Sequence, residues 1–223
     1  MLNIPSNNHK TDVLLNSRAN LQRLLRQIIE YPDRSAETTE IIENIFSDNK
    51  AILVLDMSGF SRTTQQFGII SFLLMIHQMR SICEPCIEQN RGILVKAEAD
   101  NLFCLFDKVI DAVTASQEMN DCLNAANAVL PAEQHLYASF GIGYGKILNI
   151  ANEDIFGNEV NLASKLGEDI AGRGEILLSS SARAELGESG IGTREENVSI
   201  SGILLTYYRV EGCTLPIPTR QQG

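Results

Sequence analysis

The stretch AILVLDMSGFS (residues 51–61) is an apolar run that ends on an acid and then turns through a glycine. Its first five residues are apolar, which is typical of a buried strand. Asp56 ends this strand, and a carboxylate there costs free energy unless a hydrogen bond, a salt bridge or a metal ion compensates it. The group that compensates Asp56 is therefore the first functional question that the sequence raises.

The composition excludes some classes of partner. The 223 residues carry a net charge of -10, which argues against nucleic acid or an anionic membrane as the main partner, because both favour basic surfaces. No apolar run reaches the roughly 20 residues that a membrane helix needs. The N-terminus MLNIPSNNHK lacks a secretory pattern. We therefore expect a cytoplasmic protein without a membrane partner.

The periodicity predicts two helices before the main domain. Apolar residues fall at helical spacing over 11–31 and again over 36–46, and Pro32 separates the two segments. We expect these helices to contribute to packing or dimerisation, with a regulatory role as the alternative. The predicted organisation is a helical leader over residues 1–48, a main domain over 49–213 and a flexible tail over 214–223.

The main domain alternates strand and helix patterns in the order β-α-β-β-α-β, followed by α-β and a closing strand. This order predicts an α+β fold, a ferredoxin-like βαββαβ core with an αβ extension. We expect one sheet with helices against one face and the other face left for a partner. The predicted strands are AILVLDM, GILVKAEA, NLFCLF, LYASFGIGYGKILNI, GEILLSS and LTYYRVE, and the long helices are Thr63–Gln89 and Lys108–Val129.

A second acid lies in the turn between the two strands that form the central hairpin. In a split βαβ core, Asp100 in this turn can face the same small space as Asp56. Mg²⁺ prefers one or two carboxylates together with substrate phosphates, so a metal ion would compensate both charges. Gly59, Phe60 and Ser61 follow, where backbone N–H groups at a helix start can bind phosphate. The alternative is an ordinary acid at a helix N-terminus.

Four stretches follow one another along the chain: LDMSGFS, VKAEADNLFCLF, FGIGYGKIL and DIFGNEVNLASKL. On these stretches, the chain resembles the class III nucleotidyl cyclases over about residues 50–211, and with its leader it resembles a group of short bacterial cyclase-like proteins. The glycines of GIGYG, which could suggest a nucleotide-binding loop, are expected to be strand glycines at a packed interface.

The resemblance implies a role for each matching residue. Asp56 and Asp100 would hold two divalent cations, Mg²⁺ or Mn²⁺, with the Met57 carbonyl nearby. Lys96 stands where adenylate cyclases carry a lysine that contacts adenine. Asp154 stands where they carry an aspartate that accepts from the adenine amino group.

The resemblance also implies two catalytic residues on one helical face. Asn161 matches the asparagine that orients the ribose. Lys165, four residues further on, stands where the family usually has arginine, and lysine offers a point charge in place of a planar fork. The glycine that usually precedes the second metal aspartate is Ala99, which we expect to be tolerated unless its φ is positive. No residue is identified that holds the terminal phosphates.

The predicted activity is adenylate cyclase, which forms 3′,5′-cyclic AMP and pyrophosphate from ATP. In the family, the metal aspartates come from one subunit and the base-reading residues from the other. The resemblance therefore implies a head-to-tail homodimer. The alternatives are a cyclase for UTP, CTP or GTP, or a cyclase-fold module that binds nucleotide or a partner without catalysis.

Overall fold

The computed structural model describes residues 15–58, 60–200 and 202–212. Its helices are α1 (Arg18–Glu30), α2 (Ser35–Phe46), α3 (Phe60–Gln89), α4 (Val109–Asn127), α5 (Asn158–Ser164) and α6 (Ser180–Leu186). Its strands are β1 (Ser47–Ser58), β2 (Ile93–Glu98), β3 (Asn101–Phe106), β4 (Tyr137–Ile150), β5 (Asp154–Phe156), β6 (Ile176–Ser179), β7 (Thr193–Ile200) and β8 (Ile203–Val210).

Within the described residues, the strands form one sheet with β1 near its centre. The order is β2-β3-β1-β4-β6-β8-β7, and β5 pairs with β4 outside this path. Among the first four strands, each hydrogen-bonded pair (β2–β3, β3–β1 and β1–β4) is antiparallel, as the split βαβ arrangement requires. Strand β6 extends the sheet parallel to β4. The predicted α+β fold with a ferredoxin-like core and an αβ extension is therefore confirmed.

Alternate side chains of β1 enter two separate cores, because successive strand residues point to opposite faces. Leu53 and Leu55 pack in the core that contains buried residues of α3 and α4. Ile52 and Val54 pack on the other face, against Val160 of α5. The expectation that one face of the sheet stays bare for a partner is therefore wrong at the centre of the sheet.

Two glycines of β4 allow α5 to lie directly on the strand. A Cβ atom on Gly141 would lie 2.0 Å from the Ala163 carbonyl oxygen, and one on Gly143 would lie 2.6 Å from the Glu159 carbonyl oxygen. No side chain can occupy that space. The expectation that GIGYG supplies strand glycines at a packed interface is confirmed, and the contact fixes the helix that carries Asn161.

The leader packs against the C-terminal end of β4. Helix α1 begins at Arg18 because the Ser17 hydroxyl accepts a hydrogen bond from the Asn20 N–H group. Leu24 and Phe46 are buried with Ile150, the last residue of β4. The predicted start of the first helix near Thr11 lies outside the described residues.

The sequence prediction missed two strands and one helix irregularity. Strand β7 has charged residues at an edge of the sheet, a composition that protects an edge but hides its strand pattern. Strand β5 is only three residues long. Helix α3 is interrupted at Gly68, where φ is 81°. Among the described residues, no helix is both long and apolar enough to cross a bilayer.

Candidate active site

Asp56 and Asp100 are brought together by the β1–β3 pairing. Asp56 lies directly opposite Asn101, the first residue of β3, and Asp100 occupies the turn just before it. The Met57 N–H group donates a hydrogen bond to the Asp100 carbonyl oxygen at 3.2 Å. We call Asp56, Asp100 and Asn101 the acid corner.

Asp56 of the acid corner lies near several other carboxylates. Burial, reinforced by the charges of Asp100, Glu168 and Asp169, raises the pKa of Asp56 to about 7. Burial and the charge of Asp169 likewise raise the pKa of Glu168. Ionisation of Asp56 is therefore unfavourable beside these neighbouring carboxylates.

The acid corner also contains a polar atom without a partner. Asn101 Oδ1 is buried and accepts no hydrogen bond from the described part of the chain. Carboxylate and amide oxygens are the ligands that Mg²⁺ and related hard cations prefer. Among the described residues, no group of three or more His, Cys, Asp and Glu side chains could hold a metal ion. The oxygen atoms that such a cation would find in the acid corner are those of the Asp56 and Asp100 carboxylates and the Asn101 amide.

The turn before Asp100 is strained. Ala99 has a φ of 51°, a left-handed conformation that costs a residue with a Cβ atom about 1 kcal/mol. Ala99 is expected to replace the family's glycine without consequence only if its φ is not positive. That condition is not met here. Asp100 therefore follows an unfavourable backbone conformation.

The predicted phosphate-binding segment lies only partly within the described residues. Gly59 lies outside the described residues, and the side chains of Phe60 and Ser61 are outside them as well. Their proposed contact with phosphate stays a prediction.

The two residues assigned to the base form an ion pair. Lys96 Nζ lies 3.1 Å from Asp154 Oδ1 and 2.9 Å from Glu98 Oε1. The same ammonium group lies 4.8 Å from the centre of the Phe103 ring. Burial lowers the pKa of Lys96, but hydrogen bonds to Glu98 and Asp154 outweigh that effect and raise it overall. Lys96 is therefore a fully charged donor beside an acceptor.

Sequence reasoning missed a third member of this group. Arg18, the first residue of α1, places a guanidinium nitrogen 3.3 Å from Asp154 Oδ2. The two residues are 136 positions apart in the sequence, so no local spacing signals the contact. We call Arg18, Lys96 and Asp154 the base-side triad.

The two predicted catalytic residues lie on and just after α5. Asn161 is exposed on the helix. Lys165 begins a short π-helical segment, Lys165–Ile170, and its Nζ atom lies 2.6 Å from Asp169 Oδ2. Because Asp169 also acts on the charge of Asp56, Lys165 belongs to the same electrostatic environment as the acid corner.

Comparison with known proteins gives one relative among curated sequences. The chain is 26% identical over 129 residues to the protein named "Putative adenylate cyclase 3" from Rhizobium meliloti (strain 1021). The match covers 58% of this chain, and the chain spans about a fifth (22%) of the relative's length. No family model matches the chain.

Solved structures resemble the chain over most of its length. The guanylyl cyclase Cya2 superposes with a TM-score of 0.65 at 21% identity, covering 77% of this chain and 96% of its own. The adenylate/guanylate cyclase/hydrolase from Silicibacter pomeroyi gives a TM-score of 0.62 at 23% identity, covering 74% and 96%. A bacterial light-regulated adenylyl cyclase gives 0.62 at 17% identity, covering 75% and 92%. These likenesses show the fold.

Proposed function

We propose that this chain, which has the fold of a class III nucleotidyl cyclase catalytic domain, is an adenylate cyclase that forms 3′,5′-cyclic AMP and pyrophosphate from ATP. The observation that carries the proposal is that one chain holds both an acid corner crowded by carboxylates and a donor–acceptor pair, Lys96 and Asp154, so that two copies can supply both parts of each shared site. The first suits cations and phosphates, and the second suits the edge of a base.

Asp56 and Asp100 are the proposed ligands of two divalent cations, Mg²⁺ or Mn²⁺. When bound, such ions lower the pKa of the attacking hydroxyl and neutralise charge on the triphosphate. The buried Asn101 Oδ1 offers a further oxygen beside them. Asp56 can bind a cation only in its ionised form, and burial and the neighbouring acids oppose its ionisation. Cation binding therefore requires Asp56 to lose a proton.

Lys96 and Asp154 are the proposed readers of adenine. Lys96 Nζ would donate to N1, and Asp154 would accept from the 6-amino group. In the free chain the two side chains satisfy each other at 3.1 Å, so neither pays the cost of an unpaired buried charge before the base arrives. A base that lacks the acceptor for Lys96 or the donor for Asp154 leaves one of these charges unpaired, which lowers its affinity relative to adenine.

Asn161 and Lys165 are proposed to act on the sugar and the reacting phosphate. Asn161 would hold the ribose so that its 3′-hydroxyl lies in reach of the α-phosphorus. Lys165 would balance the charge that develops on the α-phosphoryl group. Because Lys165 pairs with Asp169 at 2.6 Å, it must exchange that partner for phosphate oxygens. The oxygen–phosphorus bond to pyrophosphate then breaks as the cyclic bond forms.

The proposed assembly is a head-to-tail homodimer in which each site uses residues of both subunits. Helix α3 supports it, because four large apolar residues within two turns are between 52% and 66% exposed. These are Ile69, Ile70, Leu73 and Leu74.

Complementation tests this assembly. Asp56→Ala and Asn161→Ala should each be inactive alone, whereas their equal mixture should recover about a quarter of wild-type turnover, because half of the dimers contain one intact site. No recovery, in a mixture shown by native mass spectrometry to contain mixed dimers, would contradict a shared site.

A cyclase for another base is the second candidate, because the solved structures that share the fold include guanylyl cyclases. Purified chain should be incubated with Mn²⁺ and each of ATP, GTP, UTP and CTP, and the product identified by mass. Cyclic AMP formed from ATP at the highest kcat/KM supports the proposal. Preference for another triphosphate would reject adenine specificity, and no product from any of the four would favour a module that only binds.

A further inference from the structure

The leader is fastened to the hairpin that carries Asp154. Asn16 makes two hydrogen bonds there: its Oδ1 accepts from the Ala151 N–H group at 2.9 Å, and its Nδ2 donates to the Asn149 carbonyl at 3.1 Å. Ala151 and Asn152 have φ values of 53° and 55°, so this is a tight turn with two left-handed residues. The leader thus holds a strained turn two residues before Asp154.

The strand residue that pairs with Asp154 is also held by the leader. Ile150 pairs with Asp154 across the β4–β5 hairpin. Ile150 is buried in a cluster with Leu21 and Leu24 of α1. Both the backbone and the turn of this hairpin therefore rest on the leader, in addition to the direct contact of Arg18 with the Asp154 side chain.

The Asp154 carboxylate has a restricted set of free acceptor positions. Oδ1 accepts from Lys96 Nζ at 3.1 Å and from the Ile155 N–H group at 2.9 Å. Oδ2 accepts from Arg18 at 3.3 Å. A carboxylate offers about two lone-pair sites on each oxygen, so one site remains, on Oδ2. The side chain of Asp154 is 15% exposed, and that of Arg18 is 55% exposed.

We infer that Arg18 is a positioning residue for base recognition: it holds the Asp154 carboxylate so that its one free acceptor site meets the exocyclic amino group of a purine. This inference rests on the proposed function. Without Arg18, Asp154 Oδ2 has no hydrogen-bond partner among the described residues, and the carboxylate can turn about its last torsion. The leader is then part of the specificity site and more than a packing element.

The experiment compares two ligands that differ only in the amino group. The ligands are 3′-deoxy-ATP and its analogue without the 6-amino group, and neither can cyclise because both lack the attacking hydroxyl. Dissociation constants are measured by calorimetry in Mn²⁺ for the wild type and Arg18→Met. Arg18→Met should lower the affinity for 3′-deoxy-ATP about five- to tenfold and the affinity for the analogue less than about twofold. The difference arises because only 3′-deoxy-ATP has the amino group that donates a hydrogen bond to the charged Asp154 carboxylate.

Two further variants serve as controls. Arg26→Met removes the same charge from an exposed position of α1 and should leave both affinities unchanged. Arg18→Lys keeps the charge and should restore part of the amino-group preference. Equal weakening of both ligands, no change, or tighter binding of 3′-deoxy-ATP by Arg18→Met would overturn the inference, and the last result would make Arg18 a block to the base.

The outcomes separate this inference from the proposed function. A wild-type chain that binds 3′-deoxy-ATP but does not cyclise ATP would reject the activity and leave the comparison valid. If the chain binds guanine in its place, 3′-deoxy-GTP and 3′-deoxy-ITP make the same comparison for the 2-amino group. A chain that binds no purine nucleotide would overturn both.

Discussion

The acid corner and the base-side triad lie on the same sheet but balance their charges in opposite ways. In the acid corner, Asp56 faces other carboxylates, and its pKa rises to about 7. In the base-side triad, Asp154 is neutralised by Lys96 and Arg18 at 3.1 and 3.3 Å. Asp154 is therefore paired with opposite charges, whereas Asp56 is surrounded by like charges.

Under the proposed function, this difference would allow the phosphates and the base of a nucleotide to be bound by different means. Phosphates arrive with cations, so a surface that binds them can stay electrostatically incomplete until they come. A base is neutral and brings no counter-charge, so charged side chains that contact it are costly to bury unless they are already paired with each other. The two regions should therefore respond differently to mutation, pH and metal.

The largest expected effect is the loss of a ligand from the acid corner. Asp56→Ala should lower kcat by at least about a hundredfold, because it removes a cation ligand that the chain cannot replace. Turnover of ATP in saturating Mn²⁺ measures it. Asp121→Ala, which removes an exposed carboxylate from α4, is the control and should remain active. Full activity of Asp56→Ala would show that the acid corner is not the metal site.

Mutation of the base-side triad should change selectivity more than rate. Asp154→Asn should raise the KM for ATP by about tenfold with a smaller change in kcat, because it alters an interaction formed before the chemical step. The ratio of kcat/KM for ATP and GTP measures the effect. An unchanged ratio would remove Asp154 from base recognition.

The acid corner should bind Mn²⁺ more tightly as the pH rises. Because Asp56 must lose a proton whose pKa is about 7, the affinity should rise up to about tenfold per pH unit below that value and level off above it. Calorimetric titration of the wild type between about pH 6 and 8 measures this. A flat profile would mean that Asp56 is ionised throughout or is not a ligand.

The raised pKa of Asp56 also determines how the free energy of unfolding of the metal-free chain changes with pH. The folded pKa of Asp56 lies above its ordinary value of 3.8, so the stability it contributes at low pH is lost as the pH rises through about 7. Asp56→Asn should therefore gain stability over the wild type at high pH, by about 1 kcal/mol after allowance for solvent screening. Added Mn²⁺ should stabilise the wild type and not the variant.

Lys165, which pairs with Asp169, should tolerate replacement by the arginine that is usual in the family. Lys165→Arg should keep or raise kcat, by up to about fivefold, because a planar fork can contact a phosphoryl group with two hydrogen bonds. Lys146→Arg, at an exposed lysine that pairs with Glu43, is the matched control. A large loss in Lys165→Arg would mean that this site requires a point charge.

The smallest expected effect concerns the strained turn. Ala99→Gly should raise the free energy of unfolding by about 1 kcal/mol, because glycine adopts a positive φ without a Cβ clash. Ala97→Gly, on β2, should instead lower it. Thermal unfolding of both variants measures the difference, and destabilisation by Ala99→Gly would show that the φ of Ala99 is not strained.

The sequence predicted the acid corner better than the surroundings of Asp154. A strand that ends on Asp56 and a tight turn at Asp100 are local patterns, and the βαββαβ order brings them together. Lys96 and Asp154 were identified only through resemblance, because their strands show no spacing that joins them. Arg18 could not be found, since its contact depends on how the leader packs against Ile150.

The most direct test of the account is a crystal structure with Mn²⁺ and a nonhydrolysable ATP analogue. We expect anomalous manganese density between Asp56 and Asp100, and adenine in contact with Lys96 and Asp154. Manganese elsewhere, or an adenine ring remote from the Lys96–Asp154 pair, would contradict it.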